Sequence, residues 1–328
     1  GRTAGMGTAD RVIAVASAKG GVGKSTVATG IARSLAAAGE SVGLFDADIH
    51  GPNVPELLEV SEPVPSDADG DPIPVETEGI EVMSVGLMSD SAPLAWRGAM
   101  AHDALSELFE DTRWDDPETI VIDLPPGTGD IALTTLEAVP IDGVVFVTTP
   151  FQAAVSDTHR SLQLFEENDV PVLGVVSNMG EFVCDSCGET HDLFSERDPI
   201  DALHRPVLAE LPFDNQFQTF PTVADEALPD SLRELGEAVS DRYEEIWSVD
   251  TPPEAVDLRG MDAETRYETI ESHFAAAESG ETLYVISDRD PSPLQSHLVE
   301  ISEGVESLDE FAVKQQNPET WLVRTVHP

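Results

Sequence analysis

A run of eight residues, Lys19-Gly20-Gly21-Val22-Gly23-Lys24-Ser25-Thr26, follows the β-branched stretch Arg11 to Ala16 and opens an amphipathic one. Glycines at this spacing let a backbone turn its N–H groups onto phosphate oxygens, and the start of a helix behind them adds positive potential. Lys24 can then reach the β- and γ-phosphates of a nucleotide, and the Ser25 hydroxyl can hold Mg²⁺. Gly20, Gly21, Val22, Gly23, Lys24, Ser25 and Thr26 are therefore the expected phosphate-binding residues. Two carboxylates complete the chemistry. Asp48, in Asp46-Ala47-Asp48 at the end of a hydrophobic run, can orient an attacking water; Asp123, after Ile120 to Ile122, can hold Mg²⁺ through water. In a chain with 63 acidic residues a single Asp is most often a solvated surface group. These two are set apart by following buried-strand patterns, and Asp123 continues into the rigid Leu124-Pro125-Pro126-Gly127-Thr128-Gly129-Asp130.

Cys184 and Cys187 are the chain's 2 cysteines, which excludes a disulfide framework. A Cys-x-x-Cys turn can bring two thiolates onto one metal or redox centre, but tetrahedral zinc and cubane clusters generally need four ligands. One chain supplies half a site, and a two-fold symmetric dimer, repeating the same patch, completes it. Three other readings compete. A redox couple lacks its usual fold context and an aromatic or proline between the thiols. Zinc could be held within one subunit with His191 completing Cys-x-x-Cys-x-x-x-His, and sequence does not separate zinc from iron. A pair of buried small residues is disfavoured by Asp185 and Ser186 between the thiols.

The elements that must carry these residues follow from periodicity. Arg11 to Ala16, Ser41 to Asp46, Thr119 to Asp123, Asp142 to Thr149, Val170 to Ser177 and Val207 to Leu211 read as strands. Lys24 to Ala38, Ala99 to Glu110, Asp130 to Ala138, Ala153 to Asn168 and Asp230 to Trp247 read as helices. That alternation predicts an α/β domain over residues 10–247, a mostly parallel sheet wrapped by helices. Residues 1–9 read as a disordered lead, and Glu62 to Glu78, rich in Pro and acid, as a solvated excursion. The paired prolines of 248–254 suit a linker. Beyond it Ala255 to Leu258, Ala263 to Ala277, Thr282 to Ser287, Pro293 to Ser302, Phe311 to Gln316 and Thr320 to Thr325 read as strand, helix, strand, helix, strand, strand, a small α+β domain over 255–328.

Charge bounds the partners. The 17 Lys and Arg face 63 Asp and Glu, a formal charge of −46, while 41% of residues are hydrophobic, enough for a core. A field this negative repels phosphate backbones and anionic lipid headgroups, so neither nucleic acid nor membrane surface is an expected partner. No apolar run approaches the ~20 residues of a membrane span, and the expected location is cytoplasmic. Only three cations are lysines, Lys19, Lys24 and Lys314. The acidity and the scarcity of lysine resemble the proteins of salt-loving archaea, where molar salt screens carboxylates over a few ångströms. Two of three lysines fall in the phosphate loop, so the ammonium itself is required there.

Ala18 stands where the strict Walker pattern has Gly, and this form, with Lys19 before the paired glycines, resembles the deviant Walker motif of the MinD/ParA class of P-loop NTPases. The resemblance implies a dimer in which Lys19 reaches the partner subunit's nucleotide, as an arginine finger does. Asp46-Ala47-Asp48-Ile49-His50-Gly51-Pro52-Asn53, Trp96-Arg97-Gly98, the stretch Asp123 to Asp130, and Asn178-Met179 followed by Cys184-x-x-Cys187 together resemble the Mrp/ApbC family. Over roughly residues 10–247, that resemblance implies an ATPase, slow in turnover, that carries a [4Fe–4S] cluster bridging a homodimer and delivers it to apo iron–sulfur client proteins. It also implies an adenine contact from Asn178. Val256 to Met261, Ser287 to Leu294 and Thr320 to Arg324 resemble a small domain family related to the TusA/SirA fold, whose sulfur-carrier relatives use a cysteine that this unit lacks. Two alternatives stand: a MinD/ParA-like positioning switch, which calls for a basic face or tail where this chain has Asp241-Arg242-Tyr243-Glu244-Glu245, and a zinc-bridged structural adaptor.

Overall fold

Buried parallel strands need apolar side chains on both faces, and β-branched runs supply them. In the computed structural model, which describes residues 3–49, 51–88, 101–127, 129–184, 186–194, 199–213, 228–302, 308 and 311–327, those runs become the sheet. In chain order the elements are β1 (Thr3–Ala4), β2 (Arg11–Ala16), α1 (Lys24–Ala37), β3 (Val42–Asp46), α2 (Val54–Leu57), β4 (Val75–Thr77), β5 (Ile80–Ser84), α3 (Ala101–Asp111), β6 (Arg113–Trp114), β7 (Thr119–Asp123), α4 (Asp130–Ala138), β8 (Gly143–Thr148), α5 (Gln152–Glu167), β9 (Val172–Val183), β10 (Thr190–Asp192), β11 (Val207–Phe213) and α6 (Asp230–Trp247). They are followed by β12 (Val256–Asp257), α7 (Ala263–Ala276), β13 (Thr282–Ser287), α8 (Ser292–Ile301), β14 (Ala312–Asn317) and β15 (Thr320–Val326). The chain divides into two units, Gly1–Tyr243 and Glu244–Pro328.

In the first unit the sheet runs β10-β9-β8-β2-β7-β3-β5-β4, with β11 also paired to β9. The pairs β9/β8, β8/β2, β2/β7, β7/β3, β3/β5 and β11/β9 are parallel, while β4 and β10 are antiparallel. Register sets the site: Asp46 lies opposite Asp123, and Asp123 opposite Val15. Both carboxylates therefore emerge at the carboxyl ends of strands beside the phosphate loop, where open α/β sheets place ligands. Phe45 and Phe109 pack at 4.7 Å, and Phe146 meets Phe165 edge-on at 5.2 Å, on the sheet's flanks. The helix α6 sits close on α1 because Gly30 meets Leu232 and Gly236 meets Ser34, where any Cβ would overlap the neighbour.

Three expectations are corrected. The lead expected to be disordered carries β1, paired with β6, and a short 3₁₀ turn whose Met6 is 3% exposed in the main core. Burial of one apolar side chain and one strand pairing, of two residues, order it. The excursion 62–78 is tethered: Val64 packs on the core, Val75–Thr77 pairs with β5, and Arg113 holds Asp67 and Asp71. The strand expected to end at Ser177 runs on to Val183. Trp96-Arg97-Gly98, His50 and Thr128 of the quoted motifs lie outside the described residues.

The second unit is a four-stranded sheet, β12-β13-β15-β14. Ile270 and Phe274 of α7 and Leu294 and Leu298 of α8, each pair one helical turn apart, fill a core with Val285 and Val323. Asp262 caps α7 by accepting the Thr265 N–H. Arg259 is paired with Asp257, and Arg289 with Asp288.

Candidate functional site

The turn from β2 into α1 is possible only with glycines at two points: Gly21 and Gly23 have φ of +80° and +85°. It opens a cleft of about 460 Å³ lined by the phosphate loop together with Asp48, Asn53, Pro126 and Met179. Gly20, Gly21, Gly23, Lys24, Ser25, Thr26 and Lys19 all border it. Val22 is buried behind them and offers its carbonyl, not its side chain, to the site.

At the floor, Lys24 is 6% exposed and ion-paired to Asp123, which is fully buried. Burial pushes the Asp123 carboxyl above the usual range, and the Lys24 ammonium and the Ser25 hydroxyl pull it back. Its Oδ2 is buried with no hydrogen-bond partner. A buried carboxylate oxygen without a donor is an incomplete site, and beside the Ser25 hydroxyl it is the donor set that a hydrated Mg²⁺ takes. The residues present fit that ion. Neighbouring Asp46 is pushed up to about 7 by burial and by the Asp123 charge, even though it accepts the Asp48 and Val54 N–H groups and the Ser84 hydroxyl at 3.1–3.3 Å. Asp46 thus spans β3, α2 and β5 and anchors the turn that carries Asp48. Asp48 is 8% exposed, accepts the Gly51 N–H at 3.2 Å and faces the cleft.

Lys19 does not point at the floor. Half exposed, it pairs with Asp157 on α5, whose carboxyl it holds below the usual range. Asn178 lies against the loop: its Nδ2 donates to the Val22 carbonyl at 2.9 Å, and its Oδ1 accepts the Met179 N–H at 3.0 Å. A Cβ on Gly23 would overlap that amide nitrogen. With one donor and one acceptor of its amide engaged, Asn178 shapes the loop, and its second N–H is left for the adenine contact the resemblance implies. Met179 follows with φ +61°, a left-handed backbone costing about 1 kcal/mol or more in a non-glycine residue. Pairing with β8 ends at Ser177, and past the Met179 kink β9 pairs with β10 and, at Phe182, with β11.

Past the kink, β9 and β10 form a hairpin, with Thr190 opposite Val183 and His191 opposite Phe182. Its loop carries both cysteines, Cys184 half-buried and Cys187 exposed. The N–H groups of Ser186 and Cys187 hold the Cys184 thiol below its usual range. No sequence signal pointed to Asp157 or Ser84; the partners of Lys19 and Asp46 come from α5 and from a strand that periodicity did not reveal. Among the described residues no helix is long and apolar enough to cross a membrane.

Comparison with known proteins agrees with this geometry. Residues 8–248 match the ParA family model described as NUBPL iron-transfer P-loop NTPase, and residues 255–327 match that of an uncharacterised conserved protein, DUF2249. The iron–sulfur cluster carrier protein of Haemophilus influenzae is 42% identical over 206 residues, 61% of this chain and 56% of that protein, so the chain spans just over half its length. The solved structure of a nucleotide-binding protein from Archaeoglobus fulgidus in complex with ADP superposes with a TM-score of 0.54 at 30% identity, covering 75% of this chain and 95% of that one. The Pyrococcus furiosus cell division ATPase MinD, at 19% identity and TM-score 0.53 over 71% of this chain and 99% of that one, shares the fold. Since the family match runs unbroken from the strand before the phosphate loop to the end of α6, taking in the cysteine hairpin, this chain belongs to the NUBPL iron-transfer P-loop NTPase family.

Proposed function

We propose that this chain is a cytoplasmic ATPase that carries a [4Fe–4S] cluster between two subunits and passes it to apo-proteins. The observation that carries this reading is the path of β9. One strand presents Asn178 to the phosphate loop and then, past the Met179 kink, opens into the hairpin that holds Cys184 and Cys187. A shift of the loop on nucleotide binding has a single strand to travel to reach the thiols.

The loop N–H groups and Lys24 bind the triphosphate, which requires Lys24 to leave Asp123. Mg²⁺, held by Ser25 and through water by Asp123, would offset charge on the β- and γ-phosphates. Asp48 orients the attacking water. Lys19 gives up Asp157 to reach the partner's nucleotide, which ties turnover to dimerisation and makes hydrolysis a slow timer. The cluster is cargo: each subunit supplies two thiolates, and two-fold symmetry supplies four. The −46 charge is that of a protein working in molar salt, where the screening length falls to about 3 Å.

The test is Cys184→Ala with Cys187→Ala. The double variant should bind ATP as the parent does and fail to develop the brown chromophore on anaerobic reconstitution. Reconstitution at parental iron stoichiometry would remove the ligand assignment. Zinc in place of iron in anaerobically purified protein would favour a structural adaptor.

A further inference from the structure

The hairpin holds more ligands than a shared cluster uses. Its loop is closed by the Cys184 N–H donating to Glu189 O at 2.9 Å and the Gly188 N–H donating to Cys184 O at 2.7 Å. Glu189 and His191 stand two residues apart and so share one face of the chain. The turn brings Cys187 onto that face: its Sγ, a carboxylate oxygen of Glu189 and a ring nitrogen of His191 all lie within 4.8 Å of one another, and all three residues are exposed. Ligands at ~2.0–2.3 Å from one ion sit roughly 3.3–3.8 Å apart in a tetrahedron, so small side-chain rotations would close this set. Cys184, the chain's other cysteine, lies on the same closed turn and is the candidate fourth donor. Between residues 181 and 192 the sequence has Glu181, Asp185, Glu189 and Asp192 and no Lys or Arg, a local potential that concentrates cations.

We infer that each single subunit binds one thiophilic divalent cation, of the class of Zn²⁺ or Fe²⁺, through Cys187, Glu189 and His191, with Cys184 in the fourth position. Thiolate, imidazole and carboxylate together suit such borderline ions. This site needs no second chain, and because it engages the cysteines it competes with the shared cluster. A subunit loaded this way is a resting or precursor form that must release or rearrange its ion before two hairpins can meet over a cluster.

Cobalt(II) chloride is the probe, titrated anaerobically into the reduced, metal-stripped full chain without nucleotide. The expected result is one Co²⁺ per chain, with thiolate-to-cobalt charge-transfer and tetrahedral visible bands, at the mass of one subunit by light scattering. His191→Ala should weaken binding about tenfold or more and shift the visible bands; Glu189→Gln should weaken it less. Both variants keep the two cysteines and should reconstitute the shared cluster with parental iron content. Cobalt affinity unchanged in both variants would overturn the assignment, as would half an equivalent of cobalt with a doubled mass, the mark of a four-cysteine bridge. A parent chain that takes up cobalt in this way but reconstitutes no cluster would remove the bridging reading and leave this one intact.

Discussion

Asn178→Ala separates two roles for one side chain. Its Nδ2 donates to the Val22 carbonyl at 2.9 Å in a site where Asn178 is 6% exposed. Truncation removes that bond and strands a buried acceptor, which costs about 1–3 kcal/mol. The loop held by this bond carries Gly23 at φ +85° directly against the amide, so its loss falls on the binding-competent loop conformation. A competent fraction reduced by that free energy raises the apparent Kd by the same factor, roughly 5- to 150-fold. Because the loss is in the phosphate cradle, ATP, GTP and inorganic triphosphate should all weaken. Isothermal titration of the three ligands with Mg²⁺ in molar KCl measures this. A loss confined to ATP, with GTP and inorganic triphosphate binding as before, would refute loop positioning and leave only a contact to the base. Asn178→Asp should be worse than alanine, since it sets a carboxylate against a carbonyl and close to phosphate.

The other expectations concern charge. Lys24→Ala should abolish ATP binding and also lower the urea midpoint, because breaking a buried pair leaves Asp123 without its cation at about 3–5 kcal/mol; adding Asp123→Asn should recover stability but not binding. Asp46, with its pKa pushed up to about 7 against ~3.9 unfolded, takes up a proton on folding. Its contribution is therefore fully present below about pH 4 and lost as pH rises through 7, and the stability difference between the parent and Asp46→Asn should shift by up to about 4 kcal/mol over that window in urea titrations. With a charge of −46, the melting temperature should climb between 0.1 and about 2 M KCl as the screening length shrinks; a flat profile would remove the high-salt reading.

What could be read from sequence were the features that depend on one segment alone. The strand Thr119–Asp123 and the helices Asp130–Ala138 and Asp230–Trp247 fall where periodicity puts them, because a run buried on both faces, or amphipathic over several turns, carries its own signal. The phosphate loop was legible for the same reason. β5 was not: Ile80–Ser84 has Glu81 breaking its apolar run and follows a Pro-rich acidic stretch that masks its start. The extension of β9 past Asn178 was hidden by Met179 and Gly180, which read as a break, and the break is real as a kink but not as an end. Partnerships between distant segments left no local trace. Asp157 lies far along the chain from Lys19, and the direction of the Asn178 amide depends on a carbonyl that only the folded loop presents.

The rarity of lysine gains a physical reason at this site. In so acidic a chain, any cation placed for a ligand is at risk of capture by the chain's own carboxylates, and both loop lysines are captured: Lys24 by Asp123, Lys19 by Asp157. Capture is useful where the competing carboxylate has a second employment. Asp123 can turn to a hydrated metal ion once Lys24 leaves, so nucleotide and Mg²⁺ arriving together replace one buried pairing with two, whereas nucleotide alone would strand a carboxylate whose second oxygen already lacks a partner. Asp157 retains Arg160 when Lys19 departs, so releasing the second lysine leaves no bare charge. A guanidinium in either place would hold its carboxylate through a planar, bidentate fork and resist the exchange. A compact ammonium on a flexible stem can be handed from carboxylate to phosphate, which accounts for lysine at these two positions in a chain whose other cations, Lys314 apart, are arginines.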